Sequence, residues 1–242
     1  MPADSNPKVS IVIVVLNAVK TIEAAIISVM NQDYPNYELI ILDGISTDGT
    51  IEAIKKYQNN IKYFNSEKDS GIYDAMNKSI KRCTGDWIYF LGADDKLHNN
   101  EVLSSVFATT YKENSIIYGN AYYTHRQKVR FGNISRYAMS KHNINHQTIF
   151  YPRQLFNNYK YDLRFKVVAD YYLNLQLYFN SNYHFKFVNL IISDFNDRGT
   201  SGTVADHQFD YIKESLFKKI FPTDVFVFYK LRRLFIRIRN KA

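Results

Sequence analysis

The chain has a single cysteine, Cys83, in 242 residues. An intrachain disulfide is therefore excluded, and a reducing compartment is the expected setting. No apolar run reaches the roughly 18–20 residues that span a bilayer. The opening residues, MPADSNPK, show no signal-peptide pattern. Glycine-rich phosphate loops are missing as well. LNAVKT follows the first apolar run, where a dinucleotide site would carry Gly-x-Gly-x-x-Gly, and no Walker-type loop occurs. There is no internal repeat and no low-complexity linker, so 1–242 reads as one domain. No acid follows Asp224, while six Lys or Arg do.

What is present begins with charge. The net charge of +8 points to an anionic partner: a nucleotide, a phospholipid or a nucleic acid. With 46% hydrophobic residues the chain can bury a sizeable core. VSIVIVVLN (9–17) reads as a strand buried on both faces, and TIEAAIISVMNQ as a helix with Ile22, Ile26, Val29 and Met30 at helical spacing. YELIILDG, IKYFNSE and DWIYFLGAD are further strands, separated by the helical stretches GTIEAIKKY and GIYDAMNKSIKRC. Alternating strands and helices predict a mainly parallel sheet flanked by helices. After Tyr118 the alternation breaks. Strand-like pieces, a helix at VADYYLNLQLYF and a strand at FKFVNLIISDF follow less regularly. The expected organisation is a nucleotide-binding half (8–118), an acceptor-binding half (119–222) and a basic tail (223–242). Cys83 closes the helical stretch NKSIKRCTGD and reads as a small packing residue.

Acids fall at the ends of these strands: Asp43, Glu67 with Asp69, and Asp94 with Asp95, along with Asn17 after the first. In a parallel sheet such ends share one edge, and ligands bind in the crevice there. Strand-end acids also serve as turn formers and helix caps, the reading favoured for Asp48. Two caps in a row are not needed, so Asp94–Asp95 calls for a positive partner. Without a glycine-rich loop, a divalent cation between carboxylates and phosphate oxygens is the economical route, and Mg²⁺ or Mn²⁺ suits it.

SIVIVVLNAVKTIEAAIISVMNQDYPNYELIILDGISTDGT, SEKDSGIYDAMNKSI and GDWIYFLGADD resemble family 2 glycosyltransferases of the GT-A fold, most nearly the bacterial enzymes of exopolysaccharide, O-antigen and other surface-glycan synthesis. The likeness is dense over residues 8–100 and thins to HQTIFYPRQLF and VVADYYLNLQL. It implies that Asp43 and Asp69 contact the nucleotide, that Asn17 lines the base and ribose pocket, and that Asp94 and Asp95 form the DxD-type pair. Asp95 would hold the metal and Asp94 the ribose or the metal shell. Asp170 resembles the catalytic base, His146 and Gln147 a pocket wall near donor sugar or acceptor, and Arg198 a phosphate contact on a closing loop, NDRGTSG. For Asp170, His146 and Arg198 the plainer readings, a capping acid, a polar residue beside a strand and a solvated loop charge, stay open. The family usually reads DGGSTDGT where Ile45 stands here, MNKG where Ser79 stands, and GGxS where GTSG stands.

The reaction implied is attack by an acceptor hydroxyl on the anomeric carbon of a nucleotide sugar, a UDP-sugar in the family's pattern, with a nucleoside diphosphate leaving. A base facing the leaving group from the opposite side predicts inversion. The donor, a glycan or polyprenyl-linked acceptor, and Mn²⁺ or Mg²⁺ are the expected partners; nucleic acid is not, because no reading motif interleaves the basic charge. In FVFYKLRRLFIRIRNKA, Val227, Leu231, Leu234, Phe235 and Ile238 share one helical stripe, and Lys230, Arg233, Arg237 and Lys241 another. Such a helix lies in an anionic membrane surface or packs its stripe on the domain. The first option puts the protein in the cytoplasm, peripheral at the inner face of the cell membrane. Two other functions stay open: a non-catalytic subunit that binds nucleotide sugar or docks at the membrane, and a metal-dependent phosphohydrolase.

Overall fold

The computed structural model describes residues 6–130, 132–198 and 206–239. The predicted alternation is observed in the first half: β1 (Val9–Val15), α1 (Ile22–Met30), β2 (Tyr37–Asp43), α2 (Thr50–Lys55), β3 (Tyr63–Ser66), α3 (Ile72–Ile80) and β4 (Trp87–Gly92). β1 lies parallel between β2 and β4, and β3 parallel to β2. Beyond them run β5 (Lys96–Leu97), α4 (Val102–Val106), β6 (Ser115–Tyr123), β7 (Lys128–Arg130), α5 (Arg136–Met139), β8 (Ile149–Pro152), α6 (Ala169–Tyr178), β9 (His184–Phe195), α7 (His207–Ile220) and α8 (Thr223–Arg239).

One sheet in the order β3-β2-β1-β4-β8-β6-β9-β5, with β7 added on β6, crosses the molecule. The parallel arrangement holds from β3 to β4. It then becomes mixed: β8 is antiparallel to both β4 and β6, while β6 and β9 are parallel. A parallel neighbour needs a long crossover. The chain after β4 spends its length on β6, β7 and α5 before β8 returns beside β4 in the opposite sense.

Alternation along the central strands fills two cores. Val9, Ile11, Ile13 and Val15 of β1, with Trp87, Tyr89 and Leu91 of β4, pack against α1, α2 and α4. Val12, Ile88 and Phe90 face the other way, toward α3 and α6–α8. Cys83 is buried in that second core, and burial pushes its thiol up to about 12, which makes it the inert packing residue expected. α8 seats Val225 and Tyr229 in the same core, on α7. Its opposite side is bare: Val227, Leu231, Leu234, Phe235 and Ile238 are 49–65% exposed. The packed-stripe alternative therefore fails, because a different face of the helix does the packing. Lys230 and Arg233 reach back to Glu214 of α7 (2.5 and 2.8 Å); Lys241 lies outside the described residues. Among those residues no helix is long and apolar enough to cross a membrane.

Candidate active site

The strand register sets the site. Val15 of β1 pairs with Asp43 and Val14 pairs with Gly92, so β2 and β4 end level on one edge. Asp43 also pairs with Ser66 at the end of β3. The acids gathered from separate stretches of sequence thus share one rim. A cavity of about 500 Å³ lined by Trp87, Tyr111 and Arg153 lies at the start of β4, the far edge from these acids.

Asp43 is 1% exposed. Its Oδ2 accepts from the Ser46 amide (2.9 Å) and the Ser66 hydroxyl (2.6 Å), while Oδ1 is buried with no hydrogen-bond partner. A buried acceptor left open is costly unless a ligand donor meets it. Asn17 closes the same corner. It has a left-handed backbone (φ 51°), donates its amide to Ser46 Oγ (2.7 Å), and accepts from the Thr47 amide (2.9 Å). Asp69 lies against Gly44: a Cβ there would meet Asp69 Oδ2 at 2.7 Å. A side chain at position 44 would push the Asp69 carboxylate aside, so glycine lets Asp69 come up against the end of β2. Asp48 behaves as a structural acid, accepting from the Thr50 and Val19 amides (3.0 and 3.1 Å). Asp74 accepts from the Ser70 amide and pairs with Lys78, which orients α3.

Asp94 and Asp95 fold back over Gly92, where a Cβ would collide with Asp95 Oδ2. Asp94 is exposed and Asp95 is 2% exposed. Asn196 binds both: its amide donates to Asp95 Oδ1 (2.7 Å) and its Nδ2 to Asp94 Oδ2 (2.8 Å). Asp95 Oδ2 remains buried without a hydrogen-bond partner. Burial, then the Asp94 charge, pushes the Asp95 carboxyl up to about 7; Asn196, His146 and Gln147 act in the lowering direction. A buried acceptor oxygen beside a second, solvent-facing carboxylate fits a hard divalent cation. Mg²⁺-like ions take one or two carboxylates and leave the remaining positions to water and phosphate. Among the described residues no group of three or more His, Cys, Asp or Glu converges as a self-sufficient metal cage.

Across the rim Asp170 begins α6, 7% exposed. The Tyr73 hydroxyl and the Tyr171 amide donate to its Oδ1 (both 2.8 Å). Asn143 Nδ2 donates to Oδ2 (2.7 Å), and His146 Nδ1 lies 3.2 Å from the same oxygen. A carboxylate has about four lone-pair positions, and all are engaged. His146 joins the two sides, touching Asp170 and acting electrostatically on Asp95. Gln147 is held on β4 by its carbonyl, which accepts from Tyr89 OH (2.8 Å), and its Oε1 is buried without a partner. Arg198 is exposed, two residues past Asn196; residues 199–202 of its loop lie outside the described residues.

Sequence reasoning missed Tyr73, Asn143 and Asn196. Tyr73 and Asn196 lie inside SGIYDAMN and NDRGTSG, the motifs already singled out; Asn143 lies in a stretch with no pattern of its own.

Residues 10–173 match Glycosyl transferase family 2. A PGL/p-HBAD biosynthesis glycosyltransferase of Mycobacterium bovis (strain BCG / Pasteur 1173P2) is 32% identical over 213 residues, 84% of this chain and 82% of that protein. Among solved structures, S. aureus TarS 1-349 in complex with UDP-GlcNAc superposes with a TM-score of 0.73 at 19% identity, covering 86% of this chain and 65% of that one. The Pyrobaculum calidifontis mannosyltransferase PcManGT, in complex with GDP-Man and Mn²⁺, gives 0.64 at 16% identity, covering 88% and 64%. The chain thus spans just under two thirds of the length of these solved relatives. By sequence and by fold, the chain belongs to glycosyl transferase family 2 and is a glycosyltransferase of the GT-A architecture.

Proposed function

We propose that the protein is an inverting, metal-dependent glycosyltransferase that moves a sugar from a UDP-linked donor to a hydroxyl of a glycan or lipid-linked acceptor in surface-polysaccharide synthesis. The observation that carries this is the pair of buried, unsatisfied carboxylate oxygens on one rim, Asp43 Oδ1 and Asp95 Oδ2. One awaits a donor from the nucleotide base, the other a cation at the diphosphate. The UDP-GlcNAc bound by TarS and the Mn²⁺ bound by PcManGT support both assignments.

In this reading Asn17, Asp43 and Asp69 hold the nucleoside, and Asp94 holds the ribose or the metal shell. A divalent cation on Asp95, when bound, stabilises the charge that develops on the leaving diphosphate. Arg198 adds a positive contact from the loop after Asn196. Asp170 accepts the acceptor proton as the new bond forms. Because all its lone pairs are engaged, the incoming hydroxyl must displace one donor. His146, the longest contact, is the one that yields. That same contact favours a second reading, in which His146 takes the proton through Nε2 while Asp170 orients the ring and stabilises its charge. A larger loss of kcat in His146→Asn than in Asp170→Asn would select it.

The α8 stripe, exposed on the side away from the domain, supports docking on an anionic membrane surface. Such docking is peripheral and faces the cytoplasm.

The decisive experiment is a thermal-shift series with UDP, GDP and UDP-sugars, with and without Mn²⁺ or Mg²⁺. Ligand that binds only the folded form raises Tm. UDP is expected to raise Tm only with metal, and Asp95→Ala to abolish the rise. A metal-independent UDP shift that survives in Asp95→Ala would overturn the metal assignment. Phosphate release without sugar transfer would overturn the transferase chemistry.

A further inference from the structure

Asn174 stands where an apolar residue is expected. It lies on α6 between Leu173 and Leu175 of the buried core and is 0% exposed. A carboxamide in such a place is costly unless both of its ends are hydrogen-bonded. Both are. Its Oδ1 accepts from the Tyr151 hydroxyl on β8 (2.8 Å), and its Nδ2 donates to Asn143 Oδ1 (2.8 Å). Asn143 Nδ2 then donates to Asp170 Oδ2 (2.7 Å). Three hydrogen bonds thus run in series from β8 to the carboxylate. Asp170 and Asn174 are four residues apart on α6, so they share one face of the helix.

The series has one direction. An ionised carboxylate can only accept, so Asn143 must face Asp170 with its NH2 group, and its carbonyl is left for Asn174. Asn174 meets that carbonyl with Nδ2, and its own carbonyl is left for a hydroxyl. Burial, then the Asp170 charge, pushes the Tyr151 hydroxyl well above its ordinary range, so it keeps the proton it donates. Every dipole therefore points at Asp170, and hydrogen bonds aligned in this way polarise one another.

The surroundings leave the work to this series. Among the described residues no Lys or Arg pairs with Asp170. The Asn143 side chain has two hydrogen-bond partners there, Asp170 and Asn174. Its backbone stretch is tied on either side, by the Tyr171 hydroxyl on the Met139 carbonyl (2.6 Å) and by Asn145 Oδ1 on the Gln147 amide (3.0 Å). A carboxylate oxygen offers two lone-pair positions. At Oδ2 Asn143 takes one, and His146 lies 3.2 Å away at the other, the position given above to the acceptor hydroxyl. Where Asn143 is held thus decides where that open position points.

We propose that Tyr151, Asn174 and Asn143 are positioning residues for the transfer reaction, a directed hydrogen-bond series that fixes Asp170 Oδ2 so that its second lone pair faces the acceptor hydroxyl. This rests on the reading of Asp170 as the group that meets the acceptor. It adds two fully buried residues, Asn174 and Tyr151, that act on the reaction without touching a substrate.

The test is a double-mutant cycle in the full chain. Turnover is read as UDP released from UDP-GlcNAc with Mn²⁺, water serving as acceptor, in variants that still unfold cooperatively. Asn174→Leu should lower kcat by about 10- to 100-fold, with the donor KM unchanged. Tyr151→Phe, the milder change, should lower it about threefold. In an Asp170→Asn background neither should cause a further loss, because both act through that carboxylate. Equal losses in the two backgrounds overturn the proposal, as does full turnover in both single variants. Full turnover in Asp170→Asn alone would instead remove the base assignment. A second measurement needs no turnover: the ¹⁵N-labelled side-chain amide of Asn143, assigned with Asn143→Ala. Its proton facing Asp170 should move upfield in Tyr151→Phe, a residue that hydrogen-bonds to neither Asn143 nor Asp170. An unmoved signal shows that the series is not coupled and overturns the proposal, whichever donor the enzyme uses.

Discussion

Glu38 near the start of β2 and Asp95 just past the end of β4 lie at opposite edges of one sheet, 5% and 2% exposed. Burial pushes both carboxyls up. At Glu38 that push is outweighed by Lys8 (2.7 Å), Ser10 (2.6 Å) and the Thr84 amide and hydroxyl, which bring it down to about 2. At Asp95 the adjacent Asp94 adds to the push, and the carboxyl goes up to about 7. Similar exposure leads to opposite outcomes because Asp95 is the more deeply desolvated of the two, and because one edge supplies a cation where the other supplies a second anion. The first edge is finished as folded. The second keeps an open buried oxygen, which the proposed function fills with a ligand, and the other open oxygen, on Asp43, lies on that same edge.

The largest effect belongs to the open edge. Asp170→Asn keeps the shape of the side chain but removes the proposed proton acceptor, and kcat is expected to fall by about 10²–10⁴. The proposed metal-dependent UDP binding should persist, because Asp170 is not among the proposed nucleotide contacts. Steady-state kinetics beside a UDP thermal shift separates the two quantities. Full activity in Asp170→Asn would move the base to His146 or remove the need for one.

Next come paired substitutions at the two buried acids, with opposite signs. The Glu38 carboxyl is depressed below its ordinary 4.5, so its stabilisation is present above that pH and is lost as pH falls toward about 2. Glu38→Gln should cost about 3 kcal/mol at pH 7. The Asp95 carboxyl is raised above its ordinary 3.8. The metal-free native state then binds more protons than the unfolded chain between about pH 4 and 7, and stability falls as pH rises through that window. Asp95→Asn should remove the fall and leave the metal-free protein about 3 kcal/mol more stable at pH 8. Mn²⁺ should stabilise the wild type and not the variant. Urea titrations at pH 5 and pH 8 measure all of this. A loss of stability in Asp95→Asn at pH 8 would mean that the site is already satisfied.

Much of the first half was legible from sequence for a physical reason. An unbroken apolar run ending in an acid specifies a buried strand and its rim residue within about ten positions, and β1, β2 and β4 do this. The environment of Asp170 was not legible, because its donors Tyr73, Asn143 and His146 arrive from as far as 97 residues away. Neither was the mixed sheet past β4, where β6 pairs with β7, β8 and β9 at once. The tail lies between these cases. Its period revealed the stripe, but only packing showed that Val225 and Tyr229 face the core while the stripe faces outward. Deleting residues 225–242 would therefore unseat core side chains as well as any lipid contact. Leu231→Gln/Phe235→Gln is the cleaner variant. It should weaken binding to phosphatidylglycerol vesicles about tenfold, some 1.4 kcal/mol, with little change in Tm. Unchanged co-sedimentation would remove the membrane role from α8.

The smallest effect concerns how the open edge is built. Ile45 adjoins Gly44 at the mouth of the Asp43 corner, 51% exposed, with φ 67°. A β-branched side chain in the left-handed region is strained by about 1–3 kcal/mol. Nothing in the core compensates, since the side chain is half in solvent; the neighbouring bonds hold the turn instead, with Ser46 on Asp43 and Asn17 on Thr47. Ile45→Gly should relieve the strain, offset in part by the greater freedom of glycine in the unfolded chain. The net gain is about 1 kcal/mol, readable as a rise of a few degrees in Tm. Affinity for UDP discriminates between two roles for the isoleucine. Unchanged affinity makes the strain incidental, whereas weaker binding in the more stable variant means that the held turn presets the Asp43 corner for its ligand.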